Sequence, residues 1–196
     1  MVGREMWSLA GEFGLLGVCV PEAYGGLGGD FGHERIIIEE FGRRGLEGWG
    51  VAVHNTIVAP YLVAFGSEAQ KQRWLPKIVR GDMVLAIAMT EPGAGSDLQG
   101  IRTRARLEDD TWVVDGQKTF ISNGQTADLV LVVCRTDPEA RSRGLSLLAV
   151  ERGAEGFTRG RNLDKIGRDA QDTSESLVRF ECEGRYLALE RELSSA

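Results

Sequence analysis

The stretch "GDMVLAIAMTEPGAGSDLQGIRTRARLE", Gly81 to Glu108, is where the chain changes its period. Upstream, apolar residues recur every three or four positions, as in Trp7, Ala10, Phe13 and Leu16; that is the spacing of one helix face. Within the stretch, Ile101, Thr103, Ala105 and Leu107 alternate with Arg102, Arg104 and Arg106, the two-residue period of a strand. Helices come first and strands second. The sequence therefore predicts an α+β protein: an N-terminal α-helical domain, residues 1–84, followed by an antiparallel β-domain, residues 85–196.

On the helical side, "HERIIIEEFGRRG" is amphipathic and stops at a glycine, while "GWGVAVHNTIVAPYLVAFG" is almost wholly apolar and reads as a buried helix. "SEAQKQRWLPKIVRG" opens with Ser67 and Gln70, a capping box. Pro76 is expected to interrupt or kink it. On the strand side, "DGQ" at Asp115 and "NG" at Asn123 read as hairpin turns, and "DLVLVVCR" and "GLSLLAVERG" as strands. The tail, residues 181–196, reads as irregular.

Composition narrows the function classes. The net charge of −6 argues against broad nucleic-acid binding. No apolar run is long enough to span a bilayer as a helix, and the N-terminus has no signal or transit pattern. Cys19, Cys134 and Cys182 are scattered, which fits free thiols in a reducing compartment. His33 and His54 have no metal-site spacing and read as solvated or satisfied core residues.

Gly93 and Gly95 look like half of a dinucleotide fingerprint, but Leu98 stands where the third glycine would fall, and a strand pattern follows. A loop of such small residues can turn backbone N–H groups toward an anion, with Ser96 as a further donor. A sheet-end turn capped by Asp97 accounts for the same residues equally well.

The wider pattern separates these readings. "AMTEPGAGSDLQG", Ala88 to Gly100, and "KTFISNG", Lys118 to Gly124, resemble signatures of the acyl-CoA dehydrogenases. "PEAYGGLGGD", "HNTIVAPYLVAFGSEAQKQRWLPKIVRGD" and "KIGRDAQDTSE" match further blocks in order, so the resemblance runs from Glu5 to Glu175 and is nearest to long-chain-type members. It implies FAD as cofactor, enclosed between the middle β-domain and a C-terminal helical domain. Ile87, Met89 and Thr90 would contact the flavin, and Gly95 and Ser96 would pass beside it, with Ser96 also bordering the acyl-CoA substrate. Phe120, Ile121 and Ser122 would form the other wall, Phe120 standing where many members carry tryptophan.

The implied reaction is α,β-dehydrogenation of an acyl-CoA thioester, with electrons passed to electron-transfer flavoprotein or a similar acceptor. The intact protein would be a homotetramer, cytoplasmic or, in a eukaryote, in the mitochondrial matrix. No metal is implied. No catalytic residue is expected in residues 1–196, because the family's base comes from the C-terminal domain, so this chain alone is expected to be inactive. Large apolar surfaces are then expected to be uncovered around Phe120 and along residues 49–65. The alternatives are a truncated, non-catalytic remnant of that fold and a flavin monooxygenase or nitroalkane-oxidising relative.

Overall fold

The computed structural model describes residues 1–46, 48–109 and 111–183. Helix α1 (Arg4–Glu12) buries Trp7 and Ala10. It ends before Gly14, whose φ of +69° leaves the helical region, so Phe13 lies past the buried face and is exposed. Helix α2 (Phe31–Arg43) starts at Asp30, whose carboxylate accepts from Gly32 N and His33 N while His33 Nδ1 accepts from Asp30 N. His33 is thus a satisfied surface cap.

The apolar segment that reads as one helix is two. A π-helical turn (Val53–Val58) runs into helix α3 (Ala59–Phe65). Pro60 supplies the reason: it has no N–H to continue an α-helical ladder from the preceding turn. Pro76, in contrast, does not break helix α4 (Glu68–Val79). It sits in the last turn, the carbonyl it cannot serve belongs to exposed Gln72, and burial of Trp74, Leu75 and Ile78 holds the end in place. The Ser67–Gln70 capping box is formed in both directions.

Among the described residues seven strands follow: β1 (Leu85–Ala88), β2 (Arg104–Glu108), β3 (Thr111–Ser122), β4 (Leu129–Arg135), β5 (Leu145–Glu151), β6 (Phe157–Asn162) and β7 (Thr173–Glu183). Their order is β1-β4-β2-β3-β7-β6, with β5 also on β4. Most pairs are antiparallel, but β1 and β4 run parallel along their shared length, and β2 meets β4 in parallel at Arg104 and Arg135. The β2–β3 hairpin reverses the chain once and the turn at Asn123 reverses it again, so β4 re-enters beside β1 in the same direction. The antiparallel expectation is therefore corrected to a mixed sheet.

"DGQ" is not a turn either. Asp115 to Gln117 lie inside β3, where Asp115 pairs with Arg104. A Cβ on Gly116 would come within 2.2 Å of Thr103 Oγ1, so this glycine permits close approach. The hairpin turn begins instead at Asp109, with φ of +53°. Asn123 does turn the chain (φ +61°), but from β3 to its non-neighbour β4. The strand β7 is regular as far as Glu183; the remainder of the tail, residues 184–196, is outside the described residues.

Alternation along β1 and β4 divides two cores. Leu85, Leu129, Leu131 and Val133 pack on Leu62, Leu75 and Ile78 of the helices. Ala86, Ala88, Val130, Val132 and Cys134 pack with Ala105, Val114 and Ile121. β4 is buried on both faces, which is why its sequence is a continuous apolar run. Exposure along residues 49–65 is confined to positions such as Ile57 and Phe65; more apolar surface is open at Phe13 and Leu27 and at Phe31 and Ile36 of α2.

His54 joins helices to sheet. It is fully buried, Leu85 N donates to its Nδ1 at 3.2 Å, and its Nε2 lies 3.3 Å from Ile78 O. The Leu85 amide leaves the ring proton on Nε2, so the neutral ring satisfies both neighbours. Burial is the main cause that pushes its pKa down to about 4. In the unfolded chain this histidine takes up its proton near pH 6.5. Stability from His54 is thus complete above about pH 6.5 and declines as pH falls to about 4, by about 3 kcal/mol for the full interval. Urea midpoints of the wild type should fall more steeply across this window than those of His54→Gln; equal slopes would refute the role.

Candidate functional site

The glycine loop is organised by one carboxylate. Glu91 Oε2 accepts from Arg102 N at 2.7 Å, and Glu91 Oε1 accepts from Thr103 N at 3.0 Å and from Lys118 Nζ at 2.9 Å. Lys118 is fully buried and also donates to Met89 O at 3.0 Å. Burial acts to raise the Glu91 pKa, but Thr103, the Lys118 ammonium and the two amides outweigh it and hold the carboxyl below its ordinary range. Burial lowers the Lys118 pKa, opposed by Glu91. Lys118 shares the inward side of β3 with Val114 and Gly116 by the strand's two-residue parity, a signal present in the sequence that the motif reading passed over.

Beside this pair, Thr119 N donates to Thr90 O at 2.9 Å. The two segments, 88–100 and 118–124, are thereby joined side by side. Glu91 and Ala94 exchange backbone hydrogen bonds of 2.9 and 3.1 Å across a tight turn. Asp97 Oδ1 accepts from Gln99 N at 3.0 Å, the capping expected of it.

Ile87 and Met89 lie partly buried on the helix-facing side at the end of β1, and Thr90 follows them. Gly95 and Ser96 are exposed in the loop. A Cβ on Gly93 or Gly95 would meet no protein atom within 4 Å, and neither has a left-handed backbone. Neither folding nor packing therefore demands glycine there, and the loop backbone is open to close approach.

The other segment carries a bulge. Pairing of β3 with β7 shifts between Lys118 and Ile121, and Phe120 has φ of +58° and is 64% exposed. Strained backbone of this kind costs about 1–3 kcal/mol in a non-glycine residue and clusters where side chains are re-aimed at a site. Ser122 is half-buried at the end of β3. Ile121 stands apart: its side chain is buried in the second core, so only its backbone can face a ligand beside Phe120.

Models of the acyl-CoA dehydrogenase N-terminal and middle domains match residues 1–82 and 86–180. The chain belongs to the acyl-CoA dehydrogenase family. As a member of that family it is 48% identical over 176 residues to the long-chain specific acyl-CoA dehydrogenase, mitochondrial, of Sus scrofa, an alignment covering 89% of this chain and 41% of that protein. The crystal structure of acyl-CoA dehydrogenase from Geobacillus kaustophilus superposes with a TM-score of 0.91 at 48% identity, covering 96% of this chain and 50% of that one. A glutaryl-CoA dehydrogenase from Mycobacterium smegmatis, in complex with FADH2, superposes with a TM-score of 0.88 at 30% identity, covering 98% of this chain and 49% of that one. The chain thus spans about half the length of the relatives it matches. Among the described residues no cluster of His, Cys, Asp and Glu is arranged to hold a metal, and no helix is long and apolar enough to cross a membrane.

The dehydrogenase-family chain depends on its buried pair in a way that can be measured. Lys118→Met leaves the Glu91 charge buried without its cation and should cost about 3 kcal/mol in urea unfolding. The double variant Lys118→Met/Glu91→Gln should lose less than the sum of the two single changes; additive losses would show that the pair is not coupled.

Proposed function

We propose that this chain is the FAD- and thioester-binding part of an acyl-CoA dehydrogenase, acting in oxidation of fatty or branched acyl groups. The observation that carries the reading is the joining of Met89–Thr90 to Lys118–Thr119, which sets an open glycine loop beside an exposed phenyl ring on a strained bulge. Residues 87–96 and 120–122 fit a flat ring system: Phe120 offers an aromatic face, Thr90, Ser96 and Ser122 offer hydroxyls, and the loop adds backbone amides.

When bound, the flavin supplies the acceptor for the hydride that leaves the β-carbon. This chain's share is to orient that acceptor, to exclude water from one face, and to border the thioester at Ser96. The nearby acids are already engaged, Glu91 in a buried network and Asp97 as a loop cap. Glu91 is committed to Lys118 and two amides, and Asp97 holds the Gln99 amide in an exposed loop. We assign the general base, which must reach the α-proton within hydrogen-bond distance, to the part of the relatives' length that this chain does not span. The whole protein would pass electrons to electron-transfer flavoprotein or a similar acceptor, assemble as a homotetramer, and in a eukaryote work in the mitochondrial matrix.

The test is titration of the purified chain with FAD, followed by flavin fluorescence, with acyl-CoAs of several lengths added afterwards. Binding without turnover above the free-flavin background is expected. Phe120→Ala should weaken FAD binding about three- to tenfold through lost ring contact. Absence of any FAD binding would overturn the proposal, and turnover abolished by Asp97→Asn would reassign the base.

A further inference from the structure

The turn after Ser122 is held more firmly than a surface turn requires. Asn123 is 1% exposed, with its backbone in the left-handed region. Its side-chain Nδ2 donates to Gly50 O at 3.0 Å and to Leu85 O at 3.1 Å. Its backbone N donates to Asp172 O at 3.1 Å, and its carbonyl accepts from Ala127 N at 2.7 Å. One amide group thus connects the end of β3, the start of β1 and the helical part of the chain.

Gly50 is shaped to receive it: a Cβ there would lie 1.9 Å from Asn123 Oδ1. The rest of the turn is fixed by separate groups. Asp172 accepts from Gln125 N at 2.6 Å and from Thr126 N at 3.2 Å, and Arg159 donates to Gly124 O at 2.8 Å and to Ala127 O at 2.9 Å. Removing the Asn123 side chain therefore frees the tie to β1 and the helices while the turn keeps its own supports.

We propose that Asn123 is a positioning residue for the cofactor wall, setting the distance between the Phe120–Ser122 bulge and the Ile87–Thr90 strand end. This rests on the flavin-site reading of those two segments. The mechanism is geometric. Ser122 is the residue before Asn123, and Ile87 lies two residues beyond Leu85 on the strand whose carbonyl Asn123 grips. A ligand contacting both segments binds best when their spacing is set beforehand, because it then does not have to order them itself.

The experiment is FAD binding, read by fluorescence quenching and by the visible absorbance of bound flavin, with thermal unfolding in parallel. Asn123→Gly keeps the left-handed backbone and loses both side-chain hydrogen bonds; its FAD dissociation constant should rise about tenfold. Gly50→Ala displaces the same amide without altering Asn123 and should do likewise. Ser67→Ala, which removes the α4 cap, should lower the melting temperature and leave FAD affinity unchanged. In the wild type, FAD should also slow hydrogen exchange at residues 123–127, a readout that needs no variant. If the wild type binds FAD but Asn123→Gly and Gly50→Ala bind it equally well, or exchange in the turn is unmoved, the positioning role is wrong and the site reading stands. If the wild type binds none, both are wrong.

Discussion

The ion pair between Lys118 and Glu91 is the constraint on which the rest of the site depends. Removing two charges from water costs several kcal/mol each, and the pair offsets that through its mutual attraction and the backbone groups that bond to both partners. Glu91 takes two backbone amides from the residues just before β2, and Lys118 donates to the Met89 carbonyl as well as to the carboxylate. An exposed loop with glycines on either side of Ala94 would otherwise sample many conformations. Here its two ends are tied to one buried charge, so the loop is open to a ligand without being loose.

The bulge at Phe120 follows from the same pair. Lys118 points inward to Glu91, and Thr119 gives its amide to Thr90 instead of the β7 ladder. The chain must then swing through a left-handed residue before pairing resumes at Ile121. That detour turns the Phe120 ring outward, where regular alternation would have set it on the inward side with Lys118. Strain is kept in place by good contacts on both sides: the ion pair before it, and the buried Ile121 and Asn123 after it.

Packing carries this geometry to the helices. Leu85, whose carbonyl Asn123 holds, also gives its amide to His54 and its side chain to the first core. The parallel insertion of β4 beside β1 buries both faces of the central strands, so the strand end that bears Ile87, Met89 and Thr90 cannot shift without disturbing two cores. A site built on such a strand is more rigid than one built on a loop alone.

Much was legible in the residues. The change of period at Gly81–Glu108 separates helices from strands because side-chain direction repeats at 3.6 residues in one and 2 in the other. Ser67 and Gln70 announce their capping box because a cap is satisfied within four residues of chain. The motif segments 88–100 and 118–124 point to a flavin site by resemblance. Local chemistry misleads where distant partners decide. Asp115–Gly116 looks like a turn, yet Thr103 needs the missing Cβ. Pro76 looks like a breaker, yet buried Trp74 and Ile78 hold its helix. Only the tertiary structure could show that Lys118 finds Glu91 across 27 positions of sequence, that β4 lies parallel to β1, and that Asn123 reaches Gly50 and Leu85. Each depends on a partner brought close by packing, and a local pattern in the chain carries no record of which distant residue that partner is.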